Sequence, residues 1–436
     1  MQRKILHTLV SAFLVVLVFE PFGWWPIALV AWIPLCSSLR EVSARAAFFL
    51  GLIHGLVVFG ATLSWMWNIF GWLSIGFWGI LALFTAVASL LMARVPKKHF
   101  ALDAALMAVV WTGVEYFRSE VFTLTFPWIT AGTGLPPNWV TPIFGVYGVT
   151  FIVVLGSALM VERWKCGAPV LAVMGVAVFF FPEVKKSRNE VRVALIQDES
   201  ANLKKLREVS LPILEEVDVV VWPEYSLGDV DEEDLKVAQE MAGENRLFVA
   251  SGMEQRAGVE GNTAITVSKE GILGRHVKNH PVHFFSDGVT GTKAEVVKTA
   301  FGRVGTPICF DCDHQDVVRR MSGNGAEFFL IPSLDAKNWS SRQHKQHGML
   351  FRHRAAENGR WLAVASSSGV TQIIDARGFV KKKLSLMTEE VLVGRIAPVT
   401  ARTIFQVGGW LIGPIMMIGA GVVILWLAGL RFAKSI

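Results

Sequence analysis

From the N-terminus to residue 182 the chain alternates long apolar runs with short polar turns, and then changes character. A bilayer core of roughly 30 Å is crossed by a helix of about 20 apolar residues. The pattern predicts seven such helices, near residues 4–20, 22–38, 46–66, 71–93, 100–117, 142–161 and 167–182. The first two are short and separated only by Glu20-Pro21-Phe22-Gly23, which suits a tight hairpin. Residues 183–405 have the mixed composition of a globular domain, and 408–430 form an eighth apolar run. Within the mixed region, Val- and Ile-rich stretches read as buried strands: 191–197, 218–223, 246–252, 263–268, 302–309, 326–332, 360–368 and 391–396. Helical patterns at 202–216, 231–243, 313–322 and 340–358 fall between several of them. That alternation predicts an α/β domain with helices covering sheets. The expected organisation is a helical membrane domain over 1–182, an α/β domain over 183–405 and a last membrane helix within 406–436.

Composition and charge sharpen this picture. At 436 residues and 52% hydrophobic, the chain is too apolar for an ordinary soluble enzyme. Basic residues fall at alternate ends of the predicted helices: Arg3 and Lys4; Arg40 and Arg45; Arg94, Lys97 and Lys98; Arg163 and Lys165; Arg431 and Lys434. With the N-terminus inside, all five groups face the cytoplasm, as the excess of Lys and Arg in cytoplasmic loops requires. The intervening turns EPFGWWP and WMWNIFGW carry no Lys or Arg. Their Trp24, Trp25, Trp65, Trp67 and Trp72 suit an interfacial aromatic belt or a rim where lipid substrates enter. The α/β domain then lies outside. Lys185, Lys186 and Arg188 just beyond helix seven weaken this only slightly, because large domains translocate largely regardless of charge. The net charge of +6 is thus a matter of membrane anchoring, not of a nucleic-acid patch. A cleaved signal peptide over 1–19 is disfavoured, since no small-residue site follows the apolar run. The four cysteines, Cys36, Cys166, Cys309 and Cys312, give no disulfide framework.

Three reactive residues stand beside predicted strands. Glu224 follows DVVVWP, where partial desolvation makes a carboxylate a stronger base. Lys278 lies in GRHVKNHPVHFF, and Cys309 ends GRVGTPIC. Alone, each has an ordinary reading: a loop ion pair, a surface amine, an inert packed thiol. Together they supply a base, a cation and a nucleophile. Rival readings come from the same segments. GTPICFDCDHQD holds Cys309 and Cys312 in CxxC spacing, but a redox pair leaves Glu224 and Lys278 without a role. His276, His280 and His283, and the pair His344 and His347, have spacings that can bind zinc. No HExxH is present, and hydrogen-bonded loop histidines are the preferred reading, so neither metal nor cofactor is expected.

The order Glu224, Lys278, Cys309 and their contexts resemble the carbon–nitrogen hydrolase (nitrilase) superfamily, an αββα sandwich with a Glu-Lys-Cys triad. Outside it, FEPFGWWPIALVAWIPL, FPWITAGTG, GVYGVTFIVVL, LDAKNW, FRHRAAENGRWLAVASSSGVTQIIDARG and VTARTIFQVGGW resemble bacterial apolipoprotein N-acyltransferases over nearly the whole chain. The resemblance implies about eight transmembrane helices plus the αββα sandwich, in the bacterial cytoplasmic (inner) membrane with the catalytic domain on the periplasmic side. It implies Glu224 as general base and acid, Lys278 as oxyanion stabiliser and Cys309 as nucleophile. The implied acyl donor is a phospholipid, and the acceptor is the amine of a diacylglyceryl apolipoprotein. Three departures stand out. NHPVHFFSDG replaces a Pro-Phe-Gly-Glu type segment, so Asp287 stands in for the second acid, one position out of register and one methylene shorter. Phe310-Asp311 replaces Tyr-Glu, and the chain is shorter than typical members. These leave room for a divergent amine acceptor, or for a membrane-anchored amidase with water as acceptor.

Overall fold

The computed structural model describes residues 1–435 apart from Lys97, Pro182, Arg188 and Ala201, and omits the side chains of 430–435. Of the basic residues used to orient the chain, Lys97, Arg188 and the side chains of Arg431 and Lys434 therefore lie outside the described residues. Two compact units emerge, Met1–Phe181 with Val407–Ile436, and Pro182–Gln406.

The first unit is helical. Among the described residues, five of its helical segments are long and apolar enough to cross a membrane: Ala44–Thr62, Leu73–Arg94, Phe100–Val121, Thr141–Glu162 and Gly409–Gly429. Of the other three predicted spans, the first keeps its expected length, shifted by two residues, and the other two come out shorter or broken. Helix one runs Gln2–Val18. The span predicted at 22–38 is broken into a 3-10 turn, Trp25–Leu29, and a six-residue helix, Ile33–Ser38. Each piece has a proline, Pro26 or Pro34, in its first turn, the one place a helix accepts a residue without an N–H. The span predicted at 167–182 is Trp164–Ala177, 14 residues, or about 21 Å at 1.5 Å per residue. Polar groups pin the unit internally. Glu115 accepts from the Thr150 hydroxyl (2.6 Å) and the Ala131 N–H (3.0 Å). Arg118 donates to the Trp128 carbonyl (3.1 Å), so the FPWITAG loop is tied down at two points. Of the tryptophans proposed for a rim, Trp72 and Trp24 are exposed, but Trp65 is buried against Trp128. Trp65 therefore belongs to the packing.

The second unit stacks two six-stranded sheets. Its strands are β1 Val191–Gln197, β2 Val219–Val221, β3 Leu247–Arg256, β4 Val259–Ser268, β5 Gly271–Val277 and β6 Val296–Thr299. They continue as β7 Gly302–Gly305, β8 Phe328–Ser333, β9 Trp361–Ser366, β10 Gln372–Ile374, β11 Val380–Lys383 and β12 Glu390–Ile396. The sheet orders are β12-β1-β2-β3-β4-β5 and β11-β10-β9-β8-β7-β6. Alternation along β1 sorts the layers. Val193 and Leu195 face the second sheet, meeting Phe328, Leu330 and Ala363, while Ala194 and Ile196 face outward onto Leu206, Ala238 and Met241. On the other sheet Phe329, Ile331 and Val364 point outward onto Val317, Met321 and Phe351. The covering helices are Leu203–Ser210, Glu232–Ala242, Asp316–Gly323 and Ser341–Asn358. This is the four-layer αββα arrangement, because every strand at the centre is apolar on both faces.

Local chemistry sets the boundaries. Asp231 caps its helix by accepting from the Glu233 and Asp234 N–H groups, and Gly243 ends it. The helix predicted over 202–216 stops at Ser210 and gives way to a 3-10 turn at Leu211–Glu216, with Pro212 in its first turn. The strand predicted over 302–309 ends at Gly305, because Pro307 has no N–H for a ladder. Cys309 then opens a 3-10 turn, Cys309–Cys312. The unit begins and ends in the same place. β1 and β12 are antiparallel neighbours, Val191 opposite Ile396, and the hydroxyls of Ser187 and Thr400 are 2.8 Å apart.

Candidate active site

The parallel strands β2, β7 and β8 end close together, and three side chains arrive there from loops that follow strands. Glu224 comes three residues after β2, and its N–H reaches the Ser333 carbonyl at the end of β8 (3.4 Å). Lys278 directly follows β5. Cys309 follows β7 on a backbone with φ +45°, and Tyr225, next to Glu224, has φ +61°. Two non-glycine residues in the left-handed region mark stored strain at one spot, which the surrounding bonds must hold in place.

Lys278 is fully enclosed and lies 2.8 Å from Glu224 Oε1 and 2.6 Å from Asp287 Oδ2. Asn262, from the middle of β4, bridges the same two carboxylates at 2.7 and 2.8 Å. Glu224 Oε2 accepts from the Leu334 N–H at 2.8 Å. Asp287 also accepts from the Tyr225 hydroxyl and, at 2.8 Å, from the Val282 N–H. The Cys309 thiol points at the Leu334 carbonyl, 3.6 Å away. One residue, Leu334, thus holds Glu224 by its N–H and meets Cys309 by its C=O.

The charges divide unequally. Burial would pull the Lys278 ammonium down, but Glu224 and Asp287 outweigh it and hold it well above the ordinary lysine value. Burial pushes Glu224 up, against Lys278 and with the help of the Asp287 charge. For Asp287 burial is the largest influence too, yet Lys278 and the hydrogen bonds win and bring it below the usual range. The same site thus pushes its two carboxylates in opposite directions, Glu224 up and Asp287 down. Burial and the Glu224 charge push the Cys309 thiol well above its usual value, so the thiolate forms only as a base removes its proton.

A second set of bonds frames this centre. Asp311 accepts from the N–H groups of Asn279 and His280 at 2.8 Å and of Ile308 at 3.0 Å, and pairs with His276 at 2.9 Å. It ties the segment after Lys278 to the segment before Cys309. Phe310 is buried with its ring edge-on to His314 and His283. Asp335, next to Leu334, is bonded to His347 (2.8 Å), Gln343 (2.8 Å) and Ser366 (3.0 Å), and His347 also faces Asp313 at 3.3 Å. Asn262, Leu334, Asp335 and His347 were not singled out for this role from sequence. A buried Asn amid GNTAITVS was the available signal for Asn262, and a backbone contact such as Leu334 leaves none. The histidines considered for zinc have other partners: His276 with Asp311, His280 with Asp316 (2.7 Å), His344 with the Ala336 carbonyl (3.0 Å) and His347 with Asp335. Cys309 and Cys312 are both free thiols, and Cys312 packs into the outer apolar layer with Val317, Met321 and Phe329.

The profile of the carbon-nitrogen hydrolase family matches residues 192–405, and that of the apolipoprotein N-acyltransferase N-terminal domain matches residues 11–159. The apolipoprotein N-acyltransferase of Pseudomonas paraeruginosa is 27% identical over 97% of this chain and 94% of its own. That of Geobacter metallireducens is 26% identical over 91% of this chain and 89% of its own. Among solved structures, a branch 10 member of the nitrilase superfamily from Saccharomyces cerevisiae covers 49% of this chain and 93% of its own, with 19% identity and a TM-score of 0.43. The apolar helices and these relatives make the chain a membrane protein. With both domain types in this order, and relatives matched along nearly their whole length, the chain belongs to the apolipoprotein N-acyltransferase family.

Proposed function

We propose that the protein moves an acyl chain from a membrane phospholipid, through a thioester on Cys309, to the N-terminal α-amine of diacylglyceryl-cysteine on apolipoproteins. The observation that carries this reading is the enclosed Lys278 shared by two carboxylates of opposite tendency, with Cys309 on a strained turn beside them.

Glu224 removes the thiol proton, and the thiolate attacks the ester carbonyl of the phospholipid. Lys278 and the Phe310 N–H stabilise the oxyanion. As the tetrahedral adduct collapses, the C–O bond breaks and Glu224 returns the proton to the departing lysophospholipid. In the second half the acceptor amine attacks the thioester, and its proton passes through Glu224 to the released thiol. Ping-pong kinetics follow. Asp287 keeps Lys278 charged throughout, while Asp311 ties together the segments that present Lys278 and Cys309, and Asp335 anchors the segment that carries Leu334. The basic groups from Arg3 and Lys4 to Arg163 and Lys165 support a catalytic unit on the periplasmic side of the bacterial inner membrane.

The test is mass spectrometry of the full chain after incubation with phospholipid, then with a diacylglyceryl lipopeptide. The expected result is one acyl adduct on Cys309, discharged onto the lipopeptide amine and absent from Cys309→Ala. An adduct elsewhere, or none in folded protein, refutes the mechanism. Discharge as free fatty acid with the lipopeptide unchanged would instead identify a hydrolase.

A further inference from the structure

The opposite ends of β7, β8 and β9 hold a second arrangement of charge. A cavity of about 430 Å³ is lined there by Arg303, Ser322, Glu327, Arg360, Thr400 and Arg402, with Gly323 and Gly325. Arg303 lies at the start of β7, Glu327 immediately precedes β8 and Arg360 immediately precedes β9. The proposed nucleophile and Leu334 follow the other ends of β7 and β8. Leu334 stands seven positions beyond Glu327, about 23 Å at 3.3 Å per residue, so the cavity is a separate place.

Each of its cations keeps donors without a partner among the described residues. Arg360 is 2% exposed. Its Nε and Nη1 are held by the carbonyls of Ala326 (2.7 Å), Asn358 (3.2 Å), Gly359 (3.2 Å) and Ala401 (2.6 Å), which leaves Nη2 without a partner among the described residues. Neither Arg303 nor Arg402 makes a side-chain hydrogen bond or ion pair among the described residues. The Ser322 hydroxyl, 2% exposed, also has no partner among them. Gly325, at φ +98°, leaves room where a Cβ would stand 2.6 Å from Arg303 Nη1. Three guanidiniums therefore surround a hollow whose one lining carboxylate is Glu327. Burial brings Arg360 down to about 10, with Glu327 pulling it back up and the Arg402 charge adding to the fall. An anion in the cavity would relieve both the burial and the repulsion.

We propose that this cavity binds a phosphate group, with the forked N–H donors of Arg303, Arg360 and Arg402 and the Ser322 hydroxyl as its ligands. Guanidinium forks match phosphate oxygens bidentately, and a buried hydroxyl without a partner, as at Ser322, is rare otherwise. Two sources share this chemistry, the head group of a phospholipid and free phosphate. Chain continuity favours the lipid. Arg402 is seven residues before the apolar helix that starts at Gly409, so even a fully extended chain keeps it within about 25 Å of that helix.

The test uses the full chain in mild detergent and the double variant Arg303→Gln/Arg402→Gln, which spares the structural bonds of Arg360. Native mass spectrometry with added phosphatidylglycerol should show one more retained lipid on the wild type, with affinity in the variant weaker by about tenfold or more. If inorganic phosphate raises the melting temperature of the wild type alone, while lipid retention is equal, the cavity takes free phosphate. Equal behaviour of the two proteins toward both probes overturns the proposal. The Cys309 adduct should form equally in both proteins. This separates the cavity from the proposed acyl transfer and shows that the variant is folded.

Discussion

The two ends of β7, β8 and β9 present opposite solutions to the same problem of enclosing charge. At the C-terminal ends the ionised groups have partners: Lys278 touches two carboxylates, Asp311 accepts four hydrogen bonds and His347 lies between Asp335 and Asp313. At the N-terminal ends three guanidiniums surround a hollow, and two of them bind nothing among the described residues. Partnered buried charges resist change, because removing one partner strands the other in a low dielectric. Unpartnered cations at a surface cavity cost little to hold and are available to a ligand. The first end is arranged to keep a geometry, the second to acquire an occupant.

The largest effect that can sharpen this contrast is Lys278→Met. It strands Glu224 and Asp287 together, and thermal unfolding should show a loss of about 3–5 kcal/mol. A loss under about 1 kcal/mol would mean that the two carboxylates share a proton without help from the cation.

His347 gives a pH-dependent version of the same test. Burial opposes its charge, but Asp335 and Asp313 outweigh burial and push it from 6.5 to about 10. A cation whose folded value is raised contributes stability in full below pH 6.5 and loses it as pH rises through about 10. Wild type should therefore weaken across that window by a few kcal/mol, since each tenfold difference in proton affinity between folded and unfolded chain is worth about 1.4 kcal/mol. His347→Gln should lose most of that slope below about pH 9, where the buried thiols begin to contribute, and parallel profiles would remove the charge from His347.

Cys312→Ala comes next in size. It deletes a thiol from an apolar layer, so about 1 kcal/mol of stability should go while acyl transfer stays within about twofold. A collapse of transfer would revive the CxxC pair as a functional unit. Smallest of all is Arg303→Gln. With no side-chain bond to break among the described residues, it should change stability by less than about 0.5 kcal/mol in calorimetry without added phosphate or lipid. A large loss would make the two ends of the strands alike.

The sequence made some of this legible and hid the rest for physical reasons. Doubly buried strands such as VRVALIQ announce themselves, because both faces must be apolar. Glu224, Lys278 and Cys309 were legible as polar groups at the ends of such runs. The break of 22–38 into two pieces was not, since Pro26 and Pro34 sit where a helix may begin as well as where one ends. GRVGTPIC reads as one strand because Thr, Pro and Ile look extended, yet the ladder stops at Gly305. Asp335 and His347 stand twelve residues apart in the chain and meet only after β8 and the following helix have packed. The arginines of the cavity come from three separate segments and carry no common motif at all.

The pairing of β1 with β12, and of Ser187 with Thr400, means that the α/β unit leaves the chain at the point where it entered. In terms of architecture this unit is one long loop between two apolar helices, Trp164–Ala177 and Gly409–Gly429, closed at its neck by one pair of strands. Domains whose ends touch are those most readily gained by insertion, since the host chain sees a gap no wider than a turn. A single such event would turn a bundle of helices into a membrane catalyst without rerouting any helix. By the same geometry the unit can be replaced whole, so changes of acceptor can evolve in it without disturbing the helices that flank it.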